Sequence, residues 1–337
     1  MSWIRAVVVT LLIAACGDDG APIVPPGLDA VDVDAGVPLC KTPANPTWWT
    51  PAPGETKNWD IQLSSEFDIA TARTMYELEL FDVVPVPMMI DYADGDPVTV
   101  PAGALAGAIA ELHGRTPRAV VVCHVAPATI DLDEPDARKF PGFKTEPPDA
   151  PVPPEATSVI GWSTQDPFNP KQRYLDLRAG ERGRWTPIMF KRFGLAKAIG
   201  CDAIEVDRVD IFKKTTGFTL VETEVSAFIG QLSDEIHTHS LSAGLRDGFN
   251  TAGELPALAA CYDWGMQNRC AEFNDCYRIG AFGDLGKAMF GLDIRAPDRN
   301  NYGIDPALAC PRYLPNGTDG IVKAEQLDAS FRHGCEL

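Results

Sequence analysis

Positive charge is in short supply in this chain. Twenty-nine Lys and Arg stand against 47 Asp and Glu, for a formal net charge of -18. Such a chain repels nucleic acid and anionic membrane surfaces, so neither is an expected partner, whereas a cationic substrate would be welcomed by the same field. Histidine is scarce, with five in 337 residues, and no Cys-x-x-Cys pair occurs, so a zinc site is not expected. No Gly-x-Gly-x-x-Gly turn follows a strand-like run, which argues against a dinucleotide-binding sheet. No internal repeat is visible. The apolar run from Ala6 to Ala15, preceded by Arg5, is too short for a permanent transmembrane helix.

That run ends in Ile13-Ala14-Ala15-Cys16, which resembles the lipobox of bacterial lipoproteins. The resemblance implies a signal peptide over 1–15 and a lipidated Cys16 at the mature N-terminus. It further implies an exported protein held at the periplasmic or cell surface, in contact with the membrane only through the lipid. Ordinary signal peptidase cleavage near Ala14-Ala15 is the alternative. Residues 16–45 are acidic, contain Pro and Gly, and lack apolar periodicity, so they read as a flexible tether. Residues 46–337 are expected to form one domain and the protein to be a monomer. With Cys16 lipidated, eight of the nine cysteines remain, and an oxidising compartment would pair them. Short sequence separation favours Cys270 with Cys276 and Cys310 with Cys335.

Eight strand-like runs follow the tether: Asp60–Ser65, Met75–Phe81, Ala119–Val125, Tyr174–Arg178, Asp202–Val209, Leu241–Asp247, Tyr262–Asn268 and Lys287–Ile294. Helical patterns separate several of them, over Ala102 to His113, Thr186 to Ile199 and Thr223 to Ser240. This alternation predicts an α/β fold, a (β/α)8 TIM barrel, with a doubly wound open sheet as the rival. The Pro-, Asp- and Glu-rich stretch from Asp131 to Pro170 reads as a long loop over the active face. Within Asp202–Val209, apolar residues alternate with Glu205 and Asp207, which places carboxylates at the carboxyl end of a buried strand.

The motifs, taken together, resemble glycoside hydrolase family 114, the endo-α-1,4-polygalactosaminidases and their relatives. Trp59-Asp60-Ile61-Gln62-Leu63 resembles the family's opening strand, and Tyr76-Glu77-Leu78-Glu79-Leu80-Phe81-Asp82 its Tyr-Asp-x-Asp-x-Phe-Asp strand. Val122-Cys123-His124-Val125, Arg173-Tyr174-Leu175-Asp176-Leu177-Arg178 and Ile188-Met189 with Arg192 follow in the family's order. Glu205-Val206-Asp207-Arg208-Val209-Asp210 resembles Glu-Pro-Asp-Asn-Val-Asp, and Thr216-Gly217-Phe218 follows it. Gly244-Leu245-Arg246-Asp247, the Cys270 and Cys276 pair, and Gly286-Lys287-Ala288-Met289-Phe290 complete the register.

This resemblance implies a hydrolase of polysaccharide or amino-sugar polymer that needs no cofactor and no metal. Asp207 is implied as the main catalytic carboxylate, with Glu205 and Glu79 as supporting acids. Glu77, Asp82, His124, Arg208, Arg246, Asp247, Asn268, Arg269 and Asp293 are the candidate substrate contacts. The chain also departs from the family pattern. Asn268 stands where a catalytic Glu is expected, and an amide has no proton to donate. Arg208 replaces an Asn, Glu77 and Glu79 replace Asp, and Asp293 replaces Glu. The alternative function is therefore a catalytically impaired, carbohydrate-binding surface lipoprotein with the same barrel. Arg208 and Arg269 would suit uronate, sulfate or phosphate groups unless they pair internally. Trp48, Trp49, Trp59 and Trp162 are candidates for stacking on sugar rings, and as readily for the core.

Overall fold

The computed structural model describes residues 39–41, 46–64, 66–145, 154–248, 255–295 and 303–335. The expected signal peptide, Cys16 and most of the tether lie outside these residues. Eight parallel strands run round the centre: β1 (Trp59–Gln62), β2 (Met75–Glu79), β3 (Val120–Val125), β4 (Ala203–Val206), β5 (Ser242–Arg246), β6 (Trp264–Asn268), β7 (Met289–Ile294) and β8 (Asp319–Lys323). A ninth strand, β9 (Arg332–Cys335), pairs antiparallel with β8. The seam between β8 and β1 is held by side chains. Trp59 Nε1 donates to the Asp319 carbonyl at 3.0 Å, Lys323 Nζ donates to Asp60 at 2.8 Å, and Arg332 donates twice to the Trp59 carbonyl.

The expected (β/α)8 barrel is thus present, with one strand reassigned. Tyr174–Arg178 does not join the ring. Its counterpart, Gln172–Leu175, pairs antiparallel with Thr129–Asp131 and Ile160–Ser163 in a separate three-stranded sheet. Apolar alternation identifies a strand but not the sheet it joins. The eighth barrel strand is Asp319–Lys323, a short segment between Asn316-Gly317 and a turn. The stretch expected to be a loop after β3, from Asp131 to Pro170, contributes the strand Ile160–Ser163 to this side sheet.

The helices follow from their sequences. Thr186–Ile199 starts with Pro187 in its first turn and ends at Gly200, whose φ of 100° allows its N–H to return to Ala196 and Lys197. It buries Met189, Phe193 and Ala196 on one side. Glu222–Thr238 buries Val225, Phe228, Ile229, Leu232 and Ile236, an apolar stripe at helical spacing, and its first turn carries Glu222 and Glu224.

Inside the ring, Trp59, Ile61, Met75, Val122, Ala203, Trp264, Met266, Phe290 and Ile321 form an apolar plug. Because strand side chains alternate, the next inward residues of β2, β3 and β4 are Glu77 and Glu79, His124, and Glu205 and Asp207. A charged layer therefore sits on an apolar floor. Four disulfides brace the shell: Cys40–Cys261, Cys123–Cys201, Cys270–Cys276 and Cys310–Cys335. The last two are the pairs expected from sequence separation.

On the outer face of β7 and β8, the Tyr313 ring lies directly on Gly291 and Gly320. A Cβ at Gly320 would come within 2.0 Å of the ring, and one at Gly291 within 2.2 Å. Gly320→Ala should therefore destabilise the protein by about 1–3 kcal/mol, as overpacking in a dense core does. Urea unfolding checks this; an unchanged midpoint would show that the ring can move aside.

Candidate active site

Strand register places the charged residues at one level. Glu79 pairs with His124 across β2 and β3, and His124 pairs with Glu205 across β3 and β4. Gly244 of β5 lies opposite Glu205, so Arg246, two residues on, rises beside Asp207. The contacts follow this register. His124 Nδ1 donates to Glu79 at 2.8 Å, and its Nε2 lies 3.4 Å from Asp207 and 4.0 Å from Glu205. Arg246 Nη1 lies 3.7 Å from Glu77, 3.8 Å from Glu205 and 3.6 Å from Asp207. Its Nε donates to Asn268 Oδ1 at 3.0 Å. Glu79, Asp207 and Asn268 are consequently joined through His124 and Arg246 in one chain of contacts.

Electrostatics assign different charges to these neighbours. Burial disfavours the charged form of Asp207, but Arg246, His124 and Arg208 outweigh it and hold the carboxyl well below its usual range. Its Oδ1 also accepts the Arg208 backbone N–H at 2.6 Å. Burial pulls His124 down, yet Glu79, Asp207 and Glu205 together lift it to about 10, so it is an imidazolium at neutral pH. Burial raises Glu77 to about 7 against the pull of Arg246, and burial with the Glu77 charge raises Glu205 well above the usual carboxylate range. Asp247 is lifted to about 6 by burial and by the charge of Asp207.

Glu77, His124 and Glu205 bring ligand atoms within 4.8 Å of one another, the spacing of a metal site. Arg246 and the imidazolium supply positive charge to that space at 3.7–4.0 Å, while the carboxyl oxygens of Glu77 and Glu205 are buried without hydrogen-bond partners.

Two cavities open on either side of the His124–Asp207 contact. The smaller, about 330 Å³, is lined by Glu79, His124, Asp131, Asp133, Glu134, Asn169, Gln172 and Arg192 among others. The larger, about 620 Å³, is lined by Asp207, Arg208, Asp210, Arg246, Asp247, Asn268, Arg269, Phe273 and Asp275 among others. The side sheet inserted after β3 walls both: Asp131 and Gln172 face the smaller cavity, and Thr164 and Tyr174 face the larger. This is the carboxyl-terminal mouth of the strands, where barrel enzymes carry their chemistry.

Residues 39–335 match the family described as glycoside-hydrolase family GH114. The chain belongs to this family. Among solved structures it is similar to Aspergillus fumigatus Ega3 in complex with galactosamine, with a TM-score of 0.64 and 21% identity over 86% of this chain and 98% of that one. It is also similar to the glycoside hydrolase domain of PelA from Pseudomonas aeruginosa, with a TM-score of 0.50 and 14% identity over 83% and 98% of the two chains. At these identities the likeness establishes the shared barrel. No curated protein sequence matches the chain.

For this GH114 chain, the residues expected at the site fall into three groups. Glu79, His124, Asp207, Arg208, Arg246, Asp247, Asn268 and Arg269 line the two cavities. Glu77 and Glu205 are fully buried beneath them and reach the mouth only through Arg246 and His124. Asp82 and Asp293 line neither cavity. Asp82 lies in the turn after β2, where its carbonyl accepts the Leu105 N–H. Asp293 shares the face of Gly291, opposite Phe290 and Leu292, and so points outward. There it accepts the N–H groups of Ala271 and Glu272 and the Tyr313 hydroxyl, which makes it an anchor for the loop after β6.

The two cations expected to attract anionic sugars are both engaged. Arg208 pairs with Asp166, and Arg269 is held in a fork by Glu272 at 2.7 and 2.9 Å. Trp59 is buried in the plug, and Trp48 donates to Asp263 just before β6, at the opposite end of the ring. Trp49 packs on Trp264 in the plug, and Trp162 lines neither cavity. The exposed aromatic at the mouth is Phe273, 60% exposed, which sequence reading overlooked. Asp131, Asp133 and Glu134 were also passed over, although three acids within four residues carried a signal.

The Glu77 ionisation has a thermodynamic consequence. Its folded pKa of about 7 lies above its ordinary 4.5. The stability tied to its proton is full below pH 4.5 and is lost as pH rises through 7. Glu77→Gln should therefore flatten the fall in melting temperature between pH 5 and 8. A fall as steep as in the natural protein, read by calorimetry, would refute the assignment.

Proposed function

We propose that this chain hydrolyses an amino-sugar polysaccharide of the polygalactosaminidase type, with Asp207 as the carboxylate at the anomeric carbon. The observation that carries this reading is Asp207 itself. It stands at the mouth of a GH114 barrel, in the larger cavity and 3.4 Å from His124 of the smaller one, and is kept ionised by Arg246 and His124 although it is nearly buried. A carboxylate in that state can attack the anomeric carbon or deprotonate the water that does so. Glu79 supports it from the far side of His124, and Glu205 supports it from below.

The charge of the smaller cavity favours a cationic sugar. Glu79, Asp131, Asp133 and Glu134 line it with two cations: Arg192, which Glu134 and Asp136 neutralise, and the His124 imidazolium, which Glu79 and Asp207 neutralise. An ammonium-bearing ring finds acceptors there, and the net charge of -18 draws such a polymer in. The galactosamine named with the similar Ega3 structure is of this chemical class. A second reading, a carbohydrate binder without turnover, is favoured by Asn268, which cannot titrate.

The same reading tethers the protein to a membrane surface through lipid on Cys16. Four disulfides among the described residues support export to an oxidising compartment. Cys16→Ser should move the protein from the membrane to the soluble fraction; a variant still sedimenting with membranes would contradict the tether.

Hydrolysis is tested on partially deacetylated galactosaminan by release of reducing ends. Asp207→Asn should lower kcat by about 10²–10⁴-fold, the range for losing a catalytic acid–base group. A natural chain that binds the polymer but releases no reducing ends would establish the binding reading instead.

A further inference from the structure

We propose that Asp247, at the tip of β5, is the group that protonates the leaving glycosidic oxygen, with Asn268 holding it in place. The inference rests on the hydrolase reading above. Cleaving a glycosidic bond takes a proton donor as well as the carboxylate at the anomeric carbon. Asn268 has no proton of the required acidity, so another group at the same mouth must donate.

Geometry selects Asp247. It lines the 620 Å³ cavity together with Asp207, and their strands, β5 and β4, are hydrogen-bonded neighbours. Asn268 grips it at two points. The Asn268 backbone N–H donates to Asp247 Oδ1 at 2.7 Å, and the Asn268 side-chain amide donates to Oδ2. Each carboxyl oxygen keeps a further lone pair that can carry a proton. Asn268 Oδ1 meanwhile accepts from Arg246 Nε. A Glu at 268 would set a second carboxylate against Asp247, whereas the amide binds it. The residue that removes one acid therefore positions another.

The competing acids are placed differently. Glu79 is the acceptor for His124 and lines the other cavity. Glu77 and Glu205 lie below the cavity and do not line it. Asp275 accepts from Gln267 and lies 3.5 Å from Arg278. Asp210 shares the segment of Asp207 and lines the same cavity, and the experiment below separates it from Asp247.

The surroundings also suit the role. Burial and the Asp207 charge lift Asp247 to about 6 against Arg246 and the Asn268 hydrogen bonds, while Asp207 remains ionised. Two carboxyls whose pKa values are pushed apart in one cavity can act as donor and anion. In the reaction, the bond between the anomeric carbon and the leaving oxygen breaks. That oxygen takes the Asp247 proton, and the anomeric carbon takes its new bond from Asp207 or from a water that Asp207 deprotonates. One water is consumed overall: its hydroxyl stays on the anomeric carbon, and its one released proton returns to Asp247, either directly or from Asp207 through solvent, which leaves Asp207 ionised again.

The experiment compares partially deacetylated galactosaminan with a galactosamine oligosaccharide carrying a dinitrophenolate leaving group, which departs without protonation. Asp247→Asn should lose about 10²–10⁴-fold in kcat on the polymer and stay within about tenfold of the natural chain on the activated substrate. Asp247→Glu, which keeps a titratable group, should recover part of the polymer activity, and Asp210→Asn should not show this split between the two substrates. The alkaline limb of the natural pH profile on the polymer should fall near pH 6. Equal losses on both substrates, or no loss on the polymer, would overturn the assignment while the natural chain stays active. A natural chain inactive on both substrates overturns the hydrolase reading, and this assignment with it.

Discussion

The Arg246 guanidinium is the interaction on which this site depends. It stands 3.6–3.8 Å from the carboxylates of Glu77, Glu205 and Asp207 and donates to Asn268. Placing acids at the centre of a barrel costs several kcal/mol per ion unless compensating charge is at hand. Arg246 supplies most of that charge and His124 the rest. Glu77 and Glu205 respond by holding on to protons, and Asp207, nearest the mouth, remains an anion. One cation therefore governs both the tolerance of a buried acidic layer and the charge state of Asp207, the proposed catalytic carboxylate.

The apolar plug beneath that layer gives the ions a fixed floor, and its shape depends on close approaches. The Trp264 ring occupies the space a side chain at Gly244 would fill. Gly244, the register partner of Glu205, thus admits the ring at the level of the charged layer. The left-handed backbone at Arg208, Asp247 and Arg269 shows the same economy, since Asp247 and Arg269 lie one residue, and Arg208 two, beyond the tips of neighbouring strands. Non-glycine residues adopt that conformation at a cost of about 1–2 kcal/mol each. Surrounding contacts offset this cost, among them the Asn268 hydrogen bonds to Asp247, the Arg269–Glu272 fork and the Arg208–Asp166 pair.

The side sheet after β3 gives the mouth its polarity. It walls an acidic cavity on one side of His124 and a mixed cavity on the other. Because Asp166 comes from this insertion and binds Arg208, the insertion also cancels a charge that would otherwise favour anionic sugars. The charge around the mouth thus belongs to the inserted segment as much as to the ring.

Much of the ring was legible because strand patterning is local. Alternating apolar and acidic residues in Met75–Glu79 and Ala203–Val206 report a buried strand that ends in charge, and Gly200 marks where a helix stops. The outward direction of Asp293 was also readable, since it alternates with Phe290 and Leu292. The eighth strand was missed because Asp319–Lys323 begins with Asp-Gly directly after the Asn316-Gly317 turn signal, and Gln172–Leu175 was misplaced because period alone does not choose between sheets. The sequence by itself therefore determined the barrel, the short disulfides and the candidate carboxylates, all carried by local period and near neighbours. Only the tertiary structure decided that His124 bridges Glu79 and Asp207, that Arg208 meets Asp166 and that Asn268 holds Asp247. Those pairings join residues 21 to 83 positions apart, and strand register and the inserted sheet, not local pattern, bring them together.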